Sequence, residues 1–411
     1  MTPGTRKAVL LIMTVVIPLL CLPRFGFASE GLPKDDSGAY QYTYDYLFMI
    51  DALIRHEKYQ RARVELDALL ERVKQRPNET ALARQAYGYL SIGINDYAAA
   101  IEHFLFAVAT GALPDQVSHN LRYTLAQLLY HEGRFREGLQ QLQAWFAQRD
   151  RPTPESRVLS ARLHYGLKQW KQAVEALKLA IAEADSPRES WYQMLVGIYF
   201  EQEWFKQSVP VLRSMLKLFP GKPQYWQQLS GVLLQLGRER QAVAVLSLAA
   251  EQKLLNEAGQ LRLARLYLQQ NNPLDAAELL AAGLDSGDVD VTVDNLNLLV
   301  DAWLLARDQQ RALAVLGRLA EIDKSGSPQL RAGRVLMESE QWRRAVTQLE
   351  QGISLISKPA FEDWLLLGNA HYRLENREAA KSAFEAAQRL ARDEKQRQLS
   401  GSWIEYLGTS D

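Results

Sequence analysis

The side chains able to carry protons or hold a metal are few and poorly spaced for either task. The six histidines are His56, His103, His119, His131, His164 and His371. No two lie four residues apart, the spacing that puts a ligand pair on one helix face, and no carboxylates join them at ligand spacing. Serines are plentiful, yet none sits in the glycine-framed strand-to-helix elbow of a hydrolase nucleophile, and no glycine-rich phosphate loop is present. The single thiol, Cys21, lies near the start of the chain. Acidic side chains such as Asp35-Asp36, and Glu378 with Lys381, read as solvated faces and helix-surface pairs. No catalytic residue, cofactor or metal is expected, and the remaining chemistry is recognition by tyrosine and arginine, which bury broad surface and still donate hydrogen bonds.

Charge excludes one partner class. The chain has 48 basic and 48 acidic residues, without the positive excess that phosphate backbones demand. Arg6 and Lys7 precede an apolar run from Ala8 to Leu22, and Gly26-Phe27-Ala28 supplies small residues before a cut after Ala28. That layout is a secretory signal over 1–28, so a periplasmic or otherwise exported protein is expected. The apolar run is short for a span, which needs about 20 residues; an uncleaved anchor is the alternative. Leu20 before Cys21 speaks against lipidation. Cys21 leaves with the signal, so packing alone must hold the remainder.

That remainder is repetitive, and the repeats must position everything else. A small residue recurs at Ala62, Ala100, Gly138, Ala173, Ser208, Ala242, Ala276, Ala312, Ala345 and Ala380, at spacings of 38, 38, 35, 35, 34, 34, 36, 33 and 35. Four places on comes a large apolar residue, from Leu66 and Phe104 to Leu349 and Phe384, and three further on another core residue, from Leu69 to Ala387. Steps of four and three lie on one helical stripe. A second apolar pattern upstream, such as Leu125-Ala126-Leu129 or Leu299-Val300-Trp303, marks a partner helix. Prolines fall between units, where a missing N–H is harmless. Pro210 is the exception, inside its helix, and should bend it locally. Residues 284–295, rich in Asp and Gly, make a longer joint. No segment reads as a strand. The expected organisation is a signal over 1–28, an aromatic-containing segment over 29–42, about ten helical hairpins over 43–391, and a capping helix and tail over 392–411.

Trp364, Leu367, Gly368 and Tyr372, followed by Ala380, Phe384 and Ala387, resemble the tetratricopeptide repeat (TPR) consensus. His371 stands where that family usually has tyrosine, Ser230 replaces its glycine after Trp226 and Leu229, and Gly138 and Trp145 replace alanines. The resemblance implies an all-α, right-handed superhelix, an α-solenoid of about ten hairpins. It also implies a concave groove lined by first helices, where ligands of this family usually lie. The equivalent places are Tyr89, Gln127, Tyr130, Arg162, Tyr165, Gln269, Asp301, Arg334, Asn369, Tyr372 and Arg373. Arg162, Arg334 and Arg373 are far apart in sequence and Asp301 interrupts them, a pattern unsuited to gripping one terminal carboxylate.

Both ends carry aromatic residues. Tyr40, Tyr42, Tyr44, Tyr46 and Phe48 alternate before Met49 and Ile50 take up helical spacing; the rings either cap the first hairpin or dock a partner. Trp403, with Ile404 and Leu407, can cover the last repeat's exposed edge, as stacked repeats require. The whole layout resembles the exported TPR proteins that accompany TonB-, ExbB- and ExbD-type energy-transducing systems of Gram-negative bacteria. That resemblance implies a non-enzymatic periplasmic adaptor that assists transport through protein contacts. The alternatives are a scaffold of polysaccharide export or outer-membrane assembly, a module sensing peptides or cell-wall fragments, and a self-assembling structural protein.

Overall fold

The computed structural model describes residues 39–148 and 152–408. The expected signal over 1–28, with its cut after Ala28, and residues 29–38 lie outside the described residues, as does the side chain of Tyr40. All regular elements among the described residues are helices. In chain order they are α1 Ala39–Arg55, α2 Tyr59–Val73, α3 Pro77–Gly93, α4 Tyr97–Ala109, α5 Asp115–His131, α6 Phe135–Phe146, α7 Pro154–Gly166, α8 Trp170–Glu183, α9 Glu189–Glu201, α10 Phe205–Leu218, α11 Pro223–Gln235, α12 Glu239–Glu251, α13 Glu257–Gln269, α14 Pro273–Ser286, α15 Val293–Leu305, α16 Gln309–Ile322, α17 Ser327–Glu338, α18 Trp342–Leu355, α19 Phe361–Arg373, α20 Arg377–Arg389 and α21 Glu394–Gly408. The first twenty alternate as first and second helices of ten hairpins, and α21 follows as a terminal helix. This is the all-α, TPR-like solenoid of paired helices that the spacing implies. The described residues divide into two compact units, with the division between residues 198 and 199. In the first, α2 packs on α3, α4 on α5 and α6 on α7; in the second, hairpins from α11/α12 to α19/α20 follow one another and α21 packs on α20.

The in-phase positions form the core. Ala62, Ala100, Ala173, Ser208, Ala242, Ala276, Ala312, Ala345 and Ala380 are all at 0 % exposure, and Gly138 is buried as well. The large residues four places on, from Leu66 to Phe384, are equally sealed. Three of them face a glycine sixteen places earlier on the first helix. There the fit is close: a Cβ on Gly88, Gly333 or Gly368 would lie 2.2, 2.6 or 2.6 Å from Phe104, Leu349 or Phe384. Small-against-large packing thus fixes how the two helices of a hairpin approach.

The hairpin turns share one geometry. Five residues before each small one, the backbone is left-handed, at Glu57, Asn95, Gly133, Lys168, Glu203, Gly237, Asn271, Arg307, Glu340 and Glu375, with φ between 56° and 71°. The next N–H closes back five residues, as from Lys58 to Leu53 at 2.8 Å and from Arg238 to Leu233 at 2.8 Å. This is the Schellman ending of a helix, which satisfies carbonyls that would otherwise lack partners. Six of the ten positions carry Glu, Lys or Arg despite the Cβ penalty there.

Two sequence expectations shift. Helix α1 begins at Ala39, so Tyr42 to Phe48 are already helical and part of the segment 29–42 belongs to the first hairpin. Pro210 lies inside α10, as its place in the sequence implies, and is exposed. The joint after α14 shortens to 287–292, because the helix continues to Ser286 before Gly287 turns left-handed.

Candidate functional site

The first helices carry the residues expected to line a binding surface, and the structure sorts them by what each already touches. In the first unit, Tyr89 on α3 is a packing residue. Its ring meets Phe104 edge-on at 5.0 Å, and burial pushes its hydroxyl pKa up. Tyr130 on α5 is similarly half-buried, its ring tilted on Phe135 at 6.0 Å. Both rings thus lean on the second helix of their own hairpin while keeping part of their surface exposed. Gln127 and Arg162 are half-buried. Tyr165 on α7 is 41 % exposed and meets Trp170 edge-on at 5.1 Å.

In the second unit, polar rungs join successive first helices. Gln227 on α11 donates to Asn256 at 3.2 Å, and Asn295 on α15 donates to Glu257 on α13 at 3.0 Å. Arg331 on α17 bridges to Asn297 at 3.2 Å and also to Asp301. Arg334 pairs with the buried carboxylate of Asp363 at 3.0 Å, and that carboxylate also accepts the Ala360 N–H at 3.0 Å. Asp301 and Arg334 therefore already hold neighbouring repeats together. Gln269 reaches Glu239 of the preceding second helix at 3.2 Å, and Asn369 is half-buried. Arg373 is exposed and lies 5.4 Å over Trp342. The sequence reading missed Arg331, Asn295, Asn297 and Glu257. Its available signal was complementary polar residues about one repeat apart, as between Asp301 and Arg331.

The aromatic ends differ. On α1, Tyr42 stacks on Tyr46 at 5.6 Å and lies under Arg72, which also donates to its hydroxyl. Tyr46 donates to Glu65, which pushes its pKa up to about 12. Tyr44 packs against the core. Phe48 turns outward, at 64 % exposure. Tyr42 and Tyr46 thus tie α1 to α2. At the other end Trp403 stacks on Phe384 at 5.2 Å and 10°, so α21 covers the last repeat. Tyr372, Trp403 and Tyr406, with Leu399 and Ser402, border a hollow of about 300 Å³ there.

The histidines are engaged separately. His371 is buried with Nε2 3.5 Å from Glu350, and His164 Nδ1 meets Gln169 at 2.7 Å. His103 is stacked on Tyr87 at 4.5 Å and lies 3.1 Å from Arg84. Among the described residues no group of three or more His, Cys, Asp or Glu converges, and no helix is long and apolar enough to cross a membrane.

Comparison with known proteins agrees on the repeat. Models described as tetratricopeptide repeat match residues 261–327 and 364–394, and one described as anaphase-promoting complex, cyclosome, subunit 3 matches residues 94–180. None of the curated proteins matches the chain. Among solved structures, a tetratricopeptide repeat protein from Parabacteroides merdae is 13 % identical, covers 62 % of this chain and 99 % of its own, with a TM-score of 0.31. YrrB, a TPR protein with an unusual peptide-binding site, is 14 % identical over 46 % of this chain and 97 % of its own, with a TM-score of 0.36. MamA is 17 % identical over 42 % and 96 %, with a TM-score of 0.33.

Proposed function

We propose that this tetratricopeptide-repeat protein is a non-enzymatic adaptor that holds protein partners in the periplasm, as an accessory component of a TonB-, ExbB- and ExbD-type system. The observation that carries the adaptor reading is how the hairpins spend their surfaces. Their apolar stripes are consumed by one another, while the first helices keep polar and aromatic side chains such as Tyr165 and Arg373 toward solvent. A broad surface of this kind suits a protein partner better than a small substrate. The periplasmic part is supported by the basic, apolar and small-residue layout of residues 6–28, and the system-specific part by the whole-chain resemblance.

Cross-linking in intact cells followed by mass spectrometry tests it. The expected result is recovery of TonB-, ExbB- or ExbD-type proteins, with recovery falling on Tyr165→Ala or Arg373→Glu. An unchanged capture with both variants removes the first-helix surface from the reading. Failure to capture any protein of that system removes the specific assignment and leaves the adaptor. A second reading, self-assembly, is favoured by Leu399 and Tyr406, which stand 44 % and 53 % exposed on the terminal helix. Sedimentation of the purified chain and of Tyr406→Glu distinguishes it.

A further inference from the structure

The second helices carry a feature that the adaptor reading does not use. Between α14 and α16 lies a cleft of about 350 Å³ whose floor includes Trp303 of α15. One wall is Glu278, Ala281 and Asp285 on α14; the other is Arg311, Ala314 and Arg318 on α16. Steps of three and four put each trio on one helical stripe. Each wall therefore reads charge, methyl, charge over two turns, and the two walls have opposite sign.

Stability of the repeat stack does not account for this arrangement. Asp285 and Arg318 pair at 3.3 Å, with side chains 71 % and 44 % exposed, and such exposed pairs contribute little. At the other end Arg311 turns from Glu278, lying 4.5 Å over Trp303 and pairing with Asp308 at 3.3 Å. Glu278 is exposed and has no ion pair among the described residues. Nor is the pattern a property of the repeat. The same register gives Ala244, Ser247 and Glu251 against Asp275, Glu278 and Ala282 between α12 and α14. Between α16 and α18 it gives Ala314, Gly317 and Glu321 against Arg344, Thr347 and Gln351. Neither joint opposes an acidic wall to a basic one.

We propose that this cleft docks an amphipathic helix of a partner protein. One flank of that helix carries lysines or arginines seven residues apart, facing Glu278 and Asp285. The other carries acids seven apart, facing Arg311 and Arg318. Its apolar stripe lies over Ala281 and Ala314, above the buried Trp303. The chemistry selects a helix over other occupants. A simple ion satisfies one wall and is repelled by the other, and an extended strand, with its period of two, cannot match seven-residue steps on both sides. A helix repeats on each flank every seven residues, as charged flanks of coiled coils do. Ala281 and Ala314 leave room for its backbone to approach.

The test uses the full chain and fluorescein-labelled synthetic helices of about 20 residues. One probe has a leucine stripe, a lysine pair on one flank and a glutamate pair on the other; a second has glutamate pairs on both flanks. Anisotropy titration is expected to show that the mixed probe binds about tenfold more tightly than the all-glutamate probe, a ratio typical of charge complementarity. The double variant Glu278→Lys/Asp285→Lys, which makes both walls basic, is expected to reverse that preference. Ala314→Trp, an exposed position whose ring fills the cleft, should abolish binding of both probes while circular dichroism stays unchanged. Tyr165→Ala and Arg373→Glu should leave the titration unaltered, so failure here is separable from failure of the first-helix reading. Absence of saturable binding by the mixed probe, or a preference that survives the double variant, overturns the proposal.

Discussion

Gly368→Ala tests whether small-against-large packing is what holds a hairpin together. A Cβ at Gly368 would lie 2.6, 2.7 and 2.9 Å from Cε1, Cδ1 and Cζ of Phe384, against an ordinary carbon–carbon separation of about 3.5–4.0 Å. The ring has nowhere to go, because its face is stacked on Trp403 at 5.2 Å. On an open helix the same change stabilises by about 1 kcal/mol through helix propensity. Overpacking a core costs about 1–3 kcal/mol, and a conflict of about 1 Å against a trapped ring belongs in the upper part of that range, so the expected net is a loss of about 1–2 kcal/mol. Gly317→Ala and Gly231→Ala are the controls. Nothing lies within 4 Å of a Cβ at either position, and each should gain up to about 1 kcal/mol. Urea unfolding gives the overall change. Amide exchange across α19 to α21 localises it, since repeat arrays need not unfold as one cooperative unit. Phe384→Leu should largely relieve the Gly368→Ala penalty. The reasoning fails if Gly368→Ala stabilises as Gly317→Ala does, or if the two changes add within about 0.5 kcal/mol.

Three further outcomes follow from other contacts. Glu340→Gly and Glu375→Gly should each raise stability by up to about 1 kcal/mol in urea titrations, because both residues hold left-handed backbone that costs a Cβ-bearing residue; a loss in both would show that their side chains stabilise the turns more than the strain costs. Burial, then the charge of Arg84, hold the His103 pKa below the usual imidazole value. Its contribution to stability is therefore present above the unfolded pKa of about 6.5 and is lost as pH falls through the lowered folded value; His103→Gln should remove that slope, and NMR titration of the imidazole should show the depressed midpoint directly. Trp403→Ala should cost about 2–4 kcal/mol and speed amide exchange in α19 to α21 only, since that ring covers Phe384 and Tyr372; exchange that rises equally in α11 and α12 would contradict a capping role.

Much of the fold was legible because its signal is local and repeated. The small residue, the large residue four on and the third residue three further each recur ten times in phase, and each has one physical task, filling the seam of its own hairpin. The candidate surface was less legible. Register alone assigns Tyr89 and Tyr130 to one face, but it does not say what a ring on that face touches, and here each leans on an aromatic residue of the following helix. Asp301 and Arg334 share that face, and their partners, Arg331 and Asp363, lie about one repeat away, beyond the reach of any local pattern.

By itself, then, the sequence determined that the chain forms helical hairpins in tandem and which positions of each seam are core, because periodic burial is written in residue size and spacing. Only the tertiary structure decided which polar side chains join neighbouring hairpins and which stay open. It also showed that the turns are left-handed at residues as unlike as Gly133 and Glu375, and that acidic and basic walls meet across α14 and α16. The polar joints and the opposed walls arise where residues about one repeat apart in sequence come to lie side by side, and the distance between their helices is set by packing rather than by any one segment's propensity.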